Sequence, residues 1–122
     1  MPLTPVIFYR EDDGSVPVLT WLRGLPAKAR DKCRVRLERL HELGHELRRP
    51  EADYLRDEIY ELRVRLGSVN YRMLYFFHGQ AAAVVSHGLV KEAAVPAREM
   101  ELARRRRLSF LAAPARHSAE MI

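Results

Sequence analysis

The sequence is nearly without cysteine: Cys33 stands alone among 122 residues. A lone cysteine excludes an internal disulfide framework, and no Cys-x-x-Cys or close Cys/His pair supplies a zinc pattern. Long apolar runs are missing too. None approaches the ~20 residues of a membrane span. The N-terminal Met-Pro-Leu-Thr-Pro lacks the charged start and apolar stretch of a signal peptide. A reducing cytoplasm with no membrane attachment is the expectation. No repeat, long linker or second domain is visible, so the length fits one compact domain with a modest core. Acidic residues are short as well, 16 against 21 Lys and Arg, which leaves a formal charge of +5. That excess turns the expected partners toward polyanions, nucleic acid before acidic protein. A hydrophobic content of 48% excludes a disordered chain.

What is present is organised around the stretch from Ile59 to Lys91. Three apolar, β-prone runs are separated by Gly-Ser-Val and His-Gly-Gln, the pattern of an antiparallel meander. In the first run Tyr60, Leu62, Val64 and Leu66 alternate with Glu61, Arg63 and Arg65, so one face is apolar and the other charged. The second run carries Arg72 between Tyr71 and Met73; the third ends at His87, Gly88 and Lys91. Strands lie about 5 Å apart, so these cations can gather on one small sheet. Alternation puts Arg72 on the side of Leu74 and Phe76, which predicts a cleft that is apolar below and basic at its rim. Tyr71, Tyr75 and Phe77 share the other side, where core packing is the simpler role.

Before the meander, Val6 to Arg10 reads as a strand. Ser15 reads as an N-cap for a short helix containing Val18, Leu19, Trp21 and Leu22, which Gly24 ends. Trp21 reads as a packing residue, not a base-stacking platform. Pro26 opens a longer helix to about Leu43, with Gly44 as its stop. Ala29, Cys33, Leu37 and Leu40 form its apolar stripe, so Cys33 reads as a buried small hydrophobe. Lys28, Arg30, Lys32, Arg34, Arg36 and Arg39 occupy the rest, either as solvated surface or along a phosphate backbone. Residues 44–58 read as loop with an acidic patch at Glu51, Asp53, Asp57 and Glu58. His41 and His45, four apart, have ligand spacing but no third partner. After the meander Pro96 opens a last helix, with Met100, Ala103, Leu108 and Leu111 as its packing stripe and Glu101–Arg105 as a pair. Residues 112–122 read as a frayed tail beyond a single domain of residues 1–111. The expected fold is α+β, in the order β-α-α-β-β-β-α, with helices packed on one side of a mostly antiparallel sheet.

In this order the pieces Glu61-Leu62-Arg63, Tyr71-Arg72-Met73-Leu74-Tyr75-Phe76, His87-Gly88-Leu89-Val90-Lys91, and Pro96 with Glu99 resemble the RelE/HigB-like toxins of type II toxin–antitoxin systems, most closely the phage-derived HigB-type branch. The resemblance covers the chain to about Arg107. Leu89 and Glu92 depart from it, standing where the family commonly has Phe and a second Lys. It implies a toxin that cuts mRNA in the ribosomal A site as a ribosome-dependent, metal-free endoribonuclease. It also implies inhibition by a cognate helix-turn-helix antitoxin of the HigA-like kind, and no cofactor.

Under that resemblance Arg72 is the first choice to clamp the phosphorane that forms when the RNA 2′-OH attacks the scissile phosphate. Arginine suits the task because its planar fork meets two phosphate oxygens together. Arg63 and Arg65 would hold the flanking backbone, and Lys91 would contact phosphate or protonate the leaving oxygen. His87 and Tyr71 are secondary candidates for proton transfer or stacking, and Arg34 and Arg36 for RNA contact. The competing reading for Arg72 is an ion pair with an acid such as Glu61. A non-catalytic toxin homologue that binds RNA or an antitoxin competes with the enzyme, and a DNA-binding regulator is a third, weaker reading.

Overall fold

The computed structural model describes residues 3–90 and 93–121. Six strands form one sheet in the order β2-β3-β4-β5-β1-β6. The elements run β1 (Val6–Tyr9), α1 (Pro17–Arg23), α2 (Ala27–Leu43), β2 (Ala52–Arg56), β3 (Ile59–Leu66), β4 (Val69–His78), β5 (Ala82–Val90), α3 (Ala97–Ala112) and β6 (Ser118–Glu120). The α+β class and the three-strand meander are as the sequence predicts, and all pairings are antiparallel except β1 with β5.

Helices cover both sides of the sheet, not one. Helices α1 and α2 pack with Val6, Phe8, Leu62, Val64, Tyr71, Met73 and Tyr75. Helix α3 covers Ile59, Leu74, Phe76 and Val84 with Met100, Ala103 and Phe110. A sheet covered twice explains why Leu74, Tyr75 and Phe76 are all buried in succession. The stripe of α3 runs from Met100 and Ala103 to Phe110, seven residues after Ala103; Leu108 and Leu111 are exposed. Glu101 pairs with Arg104, one turn on, at 2.7 Å, in place of the expected Arg105. No described helix is long and apolar enough to cross a membrane.

Punctuation acts where the sequence places it in α2. Pro26 caps the start, and Gly44 ends the helix at φ 53°, a left-handed conformation that glycine adopts freely. Ser15 does not cap α1. Its N–H and hydroxyl both donate to Asp13, at 2.9 and 2.7 Å, closing the preceding turn. Trp21 packs on the sheet as expected: it meets Tyr71 edge-on at 6.3 Å. A Cβ on Gly88 would lie 2.2 Å from its ring, so only glycine admits the indole. Cys33 is buried and its thiol is pushed up to about 11 by desolvation, which suits packing and not nucleophilic attack.

Two strands were hidden in the sequence. Residues 44–58, read as loop, contain β2, and the expected tail contains β6. Strand β2 reaches β3 through a two-residue turn whose centre, Asp57 and Glu58, has φ of 52° and 66°. Both central residues of such a hairpin turn need positive φ, and a non-glycine residue there costs about 1–2 kcal/mol. Glu58→Gly is therefore expected to stabilise the protein by up to about 1 kcal/mol, read as a higher urea midpoint at unchanged m. Strand β6 pairs Ser118, Ala119 and Glu120 with Tyr9, Phe8 and Ile7, anchored by His117 stacked on Tyr9 at 5.0 Å.

Candidate functional site

Strand register sets Arg63 directly opposite Arg72. Both point to the α3 side of the sheet, beyond the edge of the helix's apolar contacts. Two adjacent guanidiniums repel unless a carboxylate lies between them. Glu61 supplies it. This residue is only 4% exposed, takes Arg63 Nε at 2.8 Å on one oxygen and meets Arg72 Nε at 3.3 Å on the other. The ion pair offered as the competing reading of Arg72 is thus formed, and it is shared with Arg63.

Strand β2 extends the pattern. Asp53 Oδ2 meets Arg63 Nη2 at 3.3 Å and Arg49 Nη2 at 2.9 Å. Glu51 takes both forks of Arg39 at 2.9 Å, with Arg36 Nε 3.8 Å away. The hydrogen bonds from Arg39 and Arg49 hold the Glu51 and Asp53 carboxyls below their ordinary range, so both stay ionised at neutral pH. Arg36, Arg39, Arg49, Arg63, Arg65 and Arg72 together outnumber Glu51, Asp53 and Glu61 two to one.

Arg36, Arg63, Arg65 and Arg72 all line one cleft of about 410 Å³, with Val64 as its apolar wall and Pro50, Glu51 and Asn70 completing it. Arg36 Nε is buried without a hydrogen-bond partner. Among the described residues Arg63 Nη1 and Arg72 Nη2 make no internal hydrogen bond, since the internal bonds use the other guanidinium nitrogens, but unlike Arg36 Nε they are not buried. Of the three, Arg36 Nε alone is a buried donor that calls for a partner. Three guanidiniums opening on one cleft suit an anion with oxygens for several forks. Arg65 is exposed and its Nε donates to the Gly67 carbonyl at 3.0 Å.

Not every predicted residue joins them. Arg34 faces a separate cavity of about 500 Å³ between α1 and α2 and pairs loosely with Asp31 at 3.8 Å. Tyr71 is 6% exposed and lies in the core under α1 and α2, on the far side of the sheet from Arg72, so it cannot stack on RNA in the cleft. Lys91 and Glu92 lie outside the described residues. His41 and His45 do not converge as a ligand pair. His41 Nδ1 bonds the Thr4 carbonyl at 2.7 Å, and His45 bonds the Gly79 carbonyl at 3.2 Å while stacking on Phe77.

His87 sits on the Arg72 side of the sheet but under α3, outside the cleft lining. An extra residue in β5, Ser86, interrupts the pairing between Leu74–His87 and Tyr75–Val85. Such a bulge re-aims side chains, and here it turns Ser86 and His87 together toward α3. Ser86 Oγ lies 2.8 Å from His87 Nδ1. Arg106 of α3 donates Nη1 to the Ser86 carbonyl at 3.3 Å and Nε to Glu11 at 3.0 Å. Glu99 of α3 stands 3.6 Å from His87 Nε2, a nitrogen that is buried and without a hydrogen bond.

Burial first, then the Arg106 charge, lowers the imidazole pKa from 6.5 to about 4, against the pull of Glu99. His87 is therefore neutral at pH 7. Because its folded pKa lies below the unfolded one, the unfolded chain takes up the proton first. Stability is unaffected above about pH 6.5 and falls as the pH drops toward about 4. His87→Gln is expected to flatten this dependence, read as urea midpoints at roughly pH 7 and pH 5.

Pattern reading missed Glu51 and Asn70 as walls of the cleft and Asp53 as the acid that meets Arg63. The acidic patch before the meander was the signal for Glu51 and Asp53, but its partners became visible only once β2 lay beside β3; Asn70 had no such signal. No curated protein matches the chain. The model of the phage-derived, Gp49-like proteins matches residues 20–108, a span that runs from within α1 into α3 and includes every residue lining the arginine cleft. With most of its length so matched, the chain belongs to the phage-derived Gp49-like protein family.

Proposed function

We propose that the chain is the toxin of a toxin–antitoxin pair, a ribosome-dependent endoribonuclease that seats the scissile phosphodiester of mRNA in the arginine cleft. One observation carries the reading: Arg36, Arg63, Arg65 and Arg72 open onto a single cleft, with guanidinium nitrogens left over after the internal carboxylates are served. Membership of a phage-derived family and the RelE/HigB-like sequence pieces support it.

RNA brings its own nucleophile. Attack of the 2′-oxygen on phosphorus forms the 2′,3′-cyclic phosphate and breaks the bond to the 5′-oxygen. Negative charge builds on the phosphoryl oxygens and then on the leaving oxygen. Arg72, with Nε held by Glu61 and Nη1 by the Tyr71 carbonyl, offers a fixed edge to that charge. Arg63 and Arg36 grip the flanking backbone and lower the cost of ionising the 2′-OH. His87 and Tyr71 leave the list of proton-transfer groups because they are buried, His87 under α3 and Tyr71 under α1 and α2 on the other side of the sheet. Lys91 is kept as the candidate for protonating the leaving oxygen. A cognate helix-turn-helix antitoxin would oppose the basic excess.

The second reading is a homologue that binds RNA or an antitoxin without cutting. It is favoured by the lack of any His, Lys or Tyr among the described lining residues, and by Glu51, a weak base while Arg39 holds it. Induction of the chain alone separates the two. The enzyme arrests growth and leaves mRNA cut at codon boundaries; growth with intact mRNA would replace it with the binding module.

A further inference from the structure

On the other side of the 48–53 segment lies a second cavity, of about 530 Å³, within the size range of small-ligand sites. Pro50 and Glu51 face the arginine cleft, while Arg48, Arg49 and Ala52 face this one. The two spaces meet at Asp53, whose Oδ2 is shared by Arg49 and Arg63. Tyr54 and Tyr60 share the parity of Ala52 and Leu62 and so lie on the α1 and α2 side of the sheet, opposite to Arg63 and Arg72. Because β2 is the edge strand, a strand of nucleic acid held at Arg63 and Arg72 reaches this cavity by crossing that edge beside Asp53.

Its lining suits a flat, polarisable ring. Tyr54, on the edge strand β2, is a large hydrophobic left 49% exposed. Tyr60 stands beside it on β3, ring centroids 5.0 Å apart and planes at 68°, and Tyr60 in turn stacks on the core residue Tyr75 at 5.3 Å. The platform is therefore braced from behind. It is also braced from the turn: the Glu58 N–H donates to Tyr54 Oη at 3.2 Å, and that N–H is presented by the positive-φ pair Asp57 and Glu58. Strain retained in a turn that fixes an exposed aromatic is a recurrent mark of a working site. Arg48 and Arg49 stand on the rim, placed for a phosphate on either side of a base.

We propose that this cavity is a nucleobase subsite, in which Tyr54 stacks the base next to the phosphate held in the arginine cleft. The proposal rests on the RNA reading given above. Stacking accepts any base, because every base offers a π face, so the subsite contributes affinity and register with little sequence preference.

The test compares a single-stranded hexaribonucleotide with a ribose–phosphate oligomer of equal length that carries no bases, by equilibrium binding. Wild type is expected to bind the base-bearing oligomer about tenfold more tightly. Tyr54→Ala brings that ratio close to one and leaves binding of the baseless oligomer unchanged; Tyr54→Phe keeps the ratio. Arg72→Ala weakens both oligomers alike. If wild type binds both oligomers and Tyr54→Ala keeps the tenfold preference, the subsite is wrong and the arginine cleft stands. If wild type binds neither, the RNA reading falls and the subsite with it.

Discussion

Glu61→Ala is expected to cost about 2–3 kcal/mol of folding stability, measured as a lower urea midpoint at unchanged m. The residue lies between two guanidiniums that strand register forces together, Arg63 and Arg72. Breaking a fully buried pair by deleting one partner typically costs 3–5 kcal/mol, because the remaining charge has lost both water and counter-ion. Here the carboxylate is hidden, but the arginine side chains are 32% and 18% exposed, so part of their charge reaches solvent and the loss sits below that range. Glu61→Gln retains an acceptor for one guanidinium and is expected to fall between wild type and alanine. A loss under about 0.5 kcal/mol for Glu61→Ala would mean that water screens the two arginines well. The cleft would then lack the concentrated positive charge on which phosphate binding is argued.

The same cluster shows which parts of the site a sequence can disclose. Alternation in the meander gave the faces correctly: Arg63 and Arg72 fall on one side, Tyr71, Tyr75 and Phe77 on the other. Tyr71 was offered as an RNA contact for its chemistry, although its own parity placed it with the core. Arg34 and Arg36 could likewise have been separated in advance. Two residues apart on a helix are turned by about 200°, so a single cleft can take one of them, and it takes Arg36. Strand β2 was harder to see. Asp53 sits in it as an ion-pair acceptor for Arg49 and Arg63, and its turn is Asp57-Glu58 in place of the Asn-Gly or Asp-Gly that usually marks a hairpin. Strand β6 has only three residues, too few for a period. It is held by tertiary contacts, His117 on Tyr9 and the His117 Nδ1 bond to the Arg10 carbonyl at 2.8 Å. The bulge at Ser86 has no sequence mark at all, and it decides that His87 points under α3.

Arg72→Ala is expected to slow mRNA cleavage on programmed ribosomes by about a hundred- to a thousandfold, the usual effect of removing one preorganised donor from a developing oxyanion. Relief of growth arrest should accompany it. The magnitude follows from how the side chain is held. Glu61 and the Tyr71 carbonyl fix two of its three nitrogens, so the remaining edge is aimed before substrate arrives and needs no reorganisation in the transition state. Arg72→Lys keeps the charge but not the planar fork, and is expected to recover only part of the rate. Folding separates this loss from a structural one. In Arg72→Ala the Glu61 carboxylate still has Arg63 at 2.8 Å, so no buried charge is stranded, and stability is expected to change by no more than about 1 kcal/mol. A large rate loss with a near-native urea midpoint therefore assigns Arg72 to the phosphate. Undiminished cleavage by Arg72→Ala would instead make it a counter-ion for Glu61 and leave the chemistry to be sought elsewhere in the fold.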